Sequence, residues 1–376
     1  MRIAVISSNT LPTPPIEAEI PQGWARSIHD FMSAITEGLV ARGHDVTLFA
    51  TGNSKTSAHL EWLWPEGTYT LFGTGNQLDG WATDPVLISK CFAMHLQRRY
   101  DLIYAFFPIE AATFSYFIDA PIVATLHGPG ITFEKTIFPK LLKKPHIVAI
   151  SDFQIASNPE LSFATKIYHG IDTNFFSFSD SSAGYLLYLG RLDSKKGIEV
   201  AIKAANQLKV PLKIIGSGDA AYLQHLQSGA GKQVEFLGQL DKADVKKYLS
   251  EAKALVFPAL WNEPFGLAII ESLSVGTPVI GFARGALPEI IQDGKTGYLV
   301  NLAEDSVRGN WLEQSYGEAG FTQAIKRLYA LSDSAYLKMR QAARASAVAS
   351  FDQETMVTNY EKLFEAILMK SDNNAA

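Results

Sequence analysis

Cysteine is nearly missing: Cys91 is the single one in 376 residues, so an intrachain disulfide is excluded. No Cys/His cluster has zinc spacing either, a pattern that fits a reducing cytoplasm. Long apolar runs are also lacking. The N-terminal "MRIAVISSNT" holds an apolar run from Ile3 to Ile6, too short for a signal-peptide core. Nothing approaches the roughly 20 apolar residues of a membrane-spanning helix, and a soluble or at most peripheral cytoplasmic protein is expected. Positive charge is not in excess. With a formal net charge of −5, no overall field recruits nucleic acid, and any anion must be held by local groups. Solenoid periods and low-complexity tracts do not occur.

What the chain does have is 47% hydrophobic and 11% aromatic residues, over a length that suggests two domains. Short β-rich apolar runs alternate with amphipathic helical patterns, the signature of parallel sheets covered by helices on both faces. Strands are predicted near Ile3 to Ser7, Asp45 to Ala50, Leu102 to Ala105, Ile122 to Leu126 and Ile147 to Ile150. Ile28, Phe31, Met32, Ile35 and Leu39 form a helical apolar stripe that ends at Gly43. A second series begins at "GYLLYLGR" and runs through "LKIIG", "QVEFLG", "ALVFPA", "TPVIGF" and "GYLV". Between the halves, Asn174 to Gly184 reads as a linker. "ETMVTNYEKLFEAILMK" reads as one long amphipathic helix, followed by a frayed polar tail from Ser371 to Ala376. The fold class is α/β. Two doubly wound domains put strand carboxyl ends opposite each other, and such ends are where open α/β sheets bind ligands.

In "LWNEPFGLAIIESLSVGTPVI", Glu263 and Glu271 flank a Pro-Phe-Gly-Leu corner. A helix is expected to begin near Phe265 and to end before Gly276, with Pro264 at an early helical position. The N–H groups of Phe265, Gly266 and Leu267 then lie at the positive end of a helix dipole, a cradle for an anion or a hydroxyl. Glu271 sits farther along the axis, so an elongated ligand meets Glu263, the helix start and Glu271 in turn. A nucleotide sugar has that layout. The same stretch also fits a plain helix whose dipole Glu263 complements. "YLGRLDSKKG" adds Arg191 and Lys196 in a turn that Gly190 keeps tight, two cations suited to a diphosphate and to the charge it gains on leaving. Lys195 is the rival for Lys196, and a solvated basic turn is the bland alternative.

Together, "GRLDSKKG", "EPFGLAIIE", "GALPEIIQDGKTGYLV" and "HGIDTNFF" resemble the family 4 retaining glycosyltransferases of the GT-B fold over nearly the whole chain. The resemblance implies two Rossmann-like domains facing across a cleft that closes on its substrates. It implies an acceptor-binding domain at 1–172, a nucleotide-sugar domain at 173–351, and a final helix at about 352–370 packing back onto the first. It assigns the donor diphosphate to Arg191 and Lys196, the ribose hydroxyls to Glu271 and the donor sugar to Glu263. "PIVATLHGPG" supplies His127 as the family histidine near the reacting sugar, and Gly23 in "PQGWARSIHDF" keeps one position of a glycine-rich turn. The expected partners are a nucleotide sugar, with a uridine diphosphate sugar as the family's prior, and a saccharide, lipid or small-molecule acceptor. No cofactor is expected. No Asp-x-Asp triplet is present to hold manganese, and side-chain cations can take that role, so no essential metal is expected either.

Three other readings fit parts of the chain. "KIIGSGDAA" imitates a dinucleotide fingerprint, but it lies in the second domain, with Glu235 at the start rather than the end of the next strand. A glycosidase would use two glutamates, yet it leaves Arg191, Lys196 and the helix start without a task. A non-catalytic two-domain sugar binder is usually exported, and no export signal is present. "EKTIFPKLLKKPH" has the make-up of a segment meeting anionic lipid, or of a surface helix snorkelling its lysines.

Overall fold

The structure, a computed structural model, describes residues 1–21, 27–73, 80–106, 108–128 and 145–375. Two compact units divide the chain: Met1–His169 with Gln353–Ala376, and Gly170–Asp352. The expected fold class is what the structure contains, two parallel sheets with helices.

The first unit is a seven-stranded parallel sheet of β1 (Arg2–Ile6), β2 (Asp45–Ala50), β3 (His59–Trp62), β4 (Leu102–Ala105), β5 (Ile122–Thr125), β6 (His146–Ala149) and β7 (Phe163–Lys166), in the order β3-β2-β1-β4-β5-β6-β7. Successive strand residues face opposite sides. Ile3 and Val5 thus join a core with Phe31, Met32, Ile35 and Leu39 of the helix Ser27–Ala41, while Ala4 and Ile6 pack with Leu87, Ile88 and Cys91 of the helix Gly80–Arg98. The helix Gln353–Ala375 completes the first of these cores with Met356, Val357, Tyr360 and Phe364. It approaches the helix Ser27–Ala41 so closely that a Cβ on Gly38 would lie 2.7 Å from Val357 Cγ2. A buried hydroxyl chain runs from Tyr104 through Thr125 to Tyr360, with oxygens 2.6 and 2.7 Å apart. The tail expected to fray is helical through Ala375.

The second unit is a six-stranded parallel sheet of β8 (Leu186–Leu189), β9 (Leu212–Ile215), β10 (Val234–Gly238), β11 (Ala254–Phe257), β12 (Val279–Phe282) and β13 (Gly297–Val300), ordered β10-β9-β8-β11-β12-β13. Chain order reverses between the neighbours β8 and β11, which makes their carboxyl ends the topological switch point of this sheet.

Residues 174–184 are not a free linker. Phe176 is fully buried, the Ser179 amide donates to the Val275 carbonyl at 3.0 Å, and the Ala183 amide donates to the Glu251 carbonyl at 2.7 Å. Two arginines of the helix Asp333–Ser350 fix this strap. Arg340, fully buried, donates to the carbonyls of Ser179, Ala252, Ser250 and Val275, and Arg344 donates to those of Thr173, Phe176 and Ser274. A guanidinium carries five donors, enough to collect scattered carbonyls where the periodicity of the sequence is broken.

Candidate active site

In the second unit the turn after β8 and the loop after β11 are laced together by their backbones. The Leu260 amide donates to the Lys195 carbonyl at 2.8 Å. Gly197, at φ +68°, closes the turn where a Cβ would lie 2.0 Å from the Pro258 carbonyl oxygen. Neither that φ nor that distance admits a side chain. On the far side, Gly285 at φ +60° leaves room for the Glu263 backbone, and the Ala286 amide donates to the Glu263 carbonyl at 2.9 Å. Glu263 is thus held from both neighbouring strand ends.

This lacing presses charged side chains together. Lys196 Nζ lies 2.5 Å from Glu263 Oε2, and the two side chains are 15% and 10% exposed. The same oxygen accepts Trp261 Nε1–H at 3.0 Å. Lys196 Nζ also stands 4.7 Å from the centroid of the Trp261 ring, a cation–π contact. No hydrogen bond to Glu263 Oε1 occurs among the described residues. Lys195, by contrast, has an exposed side chain.

Arg191 is exposed, and its guanidinium has no ion pair or hydrogen bond among the described residues. Its carbonyl accepts the Tyr188 hydroxyl at 2.8 Å, which anchors the turn in the core. Burial, then Tyr222 and Glu263, push the Tyr188 hydroxyl well above its usual value, so it remains a neutral donor. Gly190 begins the turn at φ +153°.

The helix after this loop is Leu267–Ser274, capped by Gly266 at φ +106°. It starts later than the expected Phe265, because no helix passes through a residue in that conformation. Pro264 accordingly sits in the loop and not in the first helical turn. Phe265 turns its ring into the core against Phe351, with centroids 5.9 Å apart. The first N–H groups from Leu267 onward lie at the positive end of the helix. Glu271 is half-buried on this helix, about 6 Å along the axis from Leu267.

In the first unit, His127 follows β5. Its ring packs against Phe31 and Phe106, with centroids 5.1 Å away in both cases, and stacks on His169 at 5.3 Å with 3° between the planes. Neither ring nitrogen has a hydrogen-bond partner among the described residues. Burial, then the neighbouring His169, holds the His127 pKa well below the usual imidazole value, so the ring is neutral. His29 and His169 are lowered by burial to about 4. His29 Nε2 lies 3.4 Å from Thr10 Oγ1. Gly23 and residues 134–144 of the lysine-rich segment lie outside the described residues.

Trp261, His169 and Phe31 escaped the sequence analysis as parts of these clusters. Trp261 was visible in "PALWNE" and His169 in "HGIDTNFF", but nothing local ties the indole to Glu263 or one histidine to the other. No described helix is long and apolar enough to cross a membrane.

Two doubly wound parallel sheets, one with a cationic turn, a glutamate and a helix start at its switch point, are the make-up of the GT-B fold. Residues 172–308 match the family described as Glycosyl transferases group 1. The chain is 28% identical over 238 residues to the phosphatidyl-myo-inositol mannosyltransferase of Mycobacterium leprae, covering 56% of this chain and 63% of that relative. It is 27% identical over 379 residues to the glycogen synthase of Mycobacterium tuberculosis, covering 92% and 84%. Among solved structures it resembles the sucrose-phosphate synthase of Thermosynechococcus elongatus, with a TM-score of 0.79, 21% identity and coverage of 98% of this chain and 100% of that one. Anabaena HepE, solved with UDP and glucose, follows with a TM-score of 0.70, 18% identity and coverage of 97% and 99%. These structural likenesses concern the fold.

Proposed function

We propose that the protein is a retaining glycosyltransferase that moves a sugar from a nucleoside diphosphate sugar, in the first instance a uridine diphosphate hexose, to a saccharide, lipid or small-molecule acceptor. The observation that carries this reading is the pairing of Lys196 with Glu263 at 2.5 Å, in the same turn as Arg191, whose exposed guanidinium has no hydrogen bond or ion pair among the described residues. In this reading the two cations and the helix start act as one cationic rim at the strand ends. Such a rim neutralises the charge that a diphosphate gains as its bond to the anomeric carbon breaks. Fixed cations of this kind stand where a metal ion would otherwise act, so no metal is required in this reading. The relatives named a mannosyltransferase and a glycogen synthase favour sugar transfer, and the HepE complex favours a uridine nucleotide.

In the proposed reaction the anomeric carbon loses the phosphate oxygen and gains the acceptor oxygen on the same face. The acceptor proton passes to the departing phosphate, so the enzyme supplies no nucleophile. Glu263 accepts a hydroxyl of the donor sugar through Oε1, and Glu271 accepts the ribose hydroxyls. The amides of Phe265, Gly266 and Leu267 face the phosphates. His127, and Gly23 with it, serve on the acceptor side in the first unit; as a neutral ring His127 offers a hydrogen bond without a charge. The location that goes with this reading is the cytoplasm, with peripheral contact at the inner face of the membrane.

The test is calorimetric titration with uridine, guanosine and adenosine diphosphates, followed by release of free nucleoside diphosphate from a nucleotide sugar when acceptors are added. Binding of one diphosphate, its loss in Arg191→Ala, weakened donor binding in Glu271→Ala and turnover that survives a chelator are the expected results. A protein that binds none of the three diphosphates overturns the reading.

A further inference from the structure

We infer that Trp261 is a positioning residue for Glu263: its indole N–H keeps the carboxylate aimed when Lys196 transfers from Glu263 to the donor diphosphate. The inference rests on the function proposed above and extends it to a residue outside the cationic turn and the two glutamates.

The argument starts from the number of partners. Glu263 Oε2 takes two donors, Lys196 Nζ at 2.5 Å and Trp261 Nε1 at 3.0 Å. A diphosphate carries more negative charge than one carboxylate and competes for the same ammonium. When Lys196 turns toward it, a carboxylate that is 10% exposed would lose its cation. A buried charge without a partner is costly. Trp261 Nε1–H is the donor that remains, and it holds Oε2 so that Oε1 stays turned outward for a sugar hydroxyl.

The ring has a second task. At 4.7 Å from Lys196 Nζ, its face keeps a cation–π contact with the ammonium while one anionic partner is exchanged for the other. Phe257 flanks the same amine at 5.8 Å. Lys196 therefore moves over an aromatic floor rather than through open water. The backbone bond from Leu260 to Lys195 keeps floor and amine in register.

Two substitutions separate the tasks. Trp261→Phe retains a ring and removes the N–H; Trp261→Leu removes both. Trp261→Phe is expected to bind nucleoside diphosphate within about twofold of the unchanged protein, because Lys196, Arg191 and the ring persist. Its kcat for the nucleotide sugar should fall about ten- to hundredfold, the worth of one hydrogen bond to a charged group. Trp261→Leu should in addition weaken diphosphate binding several-fold. In a Glu263→Gln background the extra kcat loss from Trp261→Phe should shrink, since Trp261 acts through Glu263. Trp261→Phe with unchanged kcat overturns the inference while the function stands. So does a loss that appears equally in diphosphate binding and in turnover, or one that persists undiminished with Glu263→Gln. Should the unsubstituted protein bind no nucleoside diphosphate, the function falls first and this inference with it.

Discussion

Lys196 and Glu263 neutralise each other across 2.5 Å in a junction that excludes most solvent. Removing one member leaves the other charge buried without a partner. Lys196→Ala is therefore expected to lower stability by about 3 kcal/mol. The double variant Lys196→Ala, Glu263→Ala should recover part of the loss. Denaturant melts of the single and double variants check this, and additive losses would contradict it.

Arg191 presents the opposite case. Exposed and without a hydrogen bond or ion pair among the described residues, it contributes little to the fold. Arg191→Ala should change stability by no more than about 0.5 kcal/mol, while donor turnover falls about a hundredfold or more. Parallel melts and steady-state rates with a nucleotide sugar would reveal any other pattern.

The histidines of the first unit make its stability depend on pH. His29 and His169 are held by burial at about 4, against 6.5 for a free imidazole. Between these values the unfolded rings take up protons and the folded rings do not. Stability is thus fully present above pH 6.5 and is lost as pH falls toward 4, by on the order of 3 kcal/mol for each ring below that range. Melting temperature followed from pH 7.5 to 4 should show the decline, and His169→Phe should flatten it.

Gly197→Ala should destabilise the second unit by more than about 1 kcal/mol, since the residue sits at φ +68° with the Pro258 carbonyl 2.0 Å from any added Cβ. Gly229→Ala is the control: a Cβ there meets its nearest neighbour at 3.8 Å. Equal melting temperatures for the two variants would contradict the packing described for the turn.

The interior strands were readable because both of their faces are buried, which makes each a continuous apolar run. β3, "HLEW", and β7, "FATK", lie at the edges of their sheet, are partly exposed and lack such a run. The turn "GSGDAA" has a packing explanation that spacing alone does not reveal. A Cβ on Gly216 would lie 1.8 Å from the Gly190 carbonyl oxygen, and one on Gly218 would lie 2.1 Å from that of Leu192. Those glycines let two strand ends approach. The delayed helix start at Leu267 depends on one backbone angle at Gly266, and the contact of Trp261 with Lys196 depends on β8 lying beside β11. Neither is encoded within a short window. The apparent linker failed as one for a similar reason: its carbonyls are claimed by Arg340 and Arg344, more than 150 positions away.

The returning helix Gln353–Ala375 has a consequence for the order of assembly. The second unit is one uninterrupted stretch inserted within the first, whose last piece is made after it. As the chain leaves the ribosome, the inner unit has all of its residues once Asp352 emerges. The outer sheet must wait for Met356, Val357, Tyr360 and Phe364 before the face bearing Val5, Tyr104 and Val123 is covered. Until then that face has only the helix Ser27–Ala41 over it, and the part reserved for the last helix is uncovered.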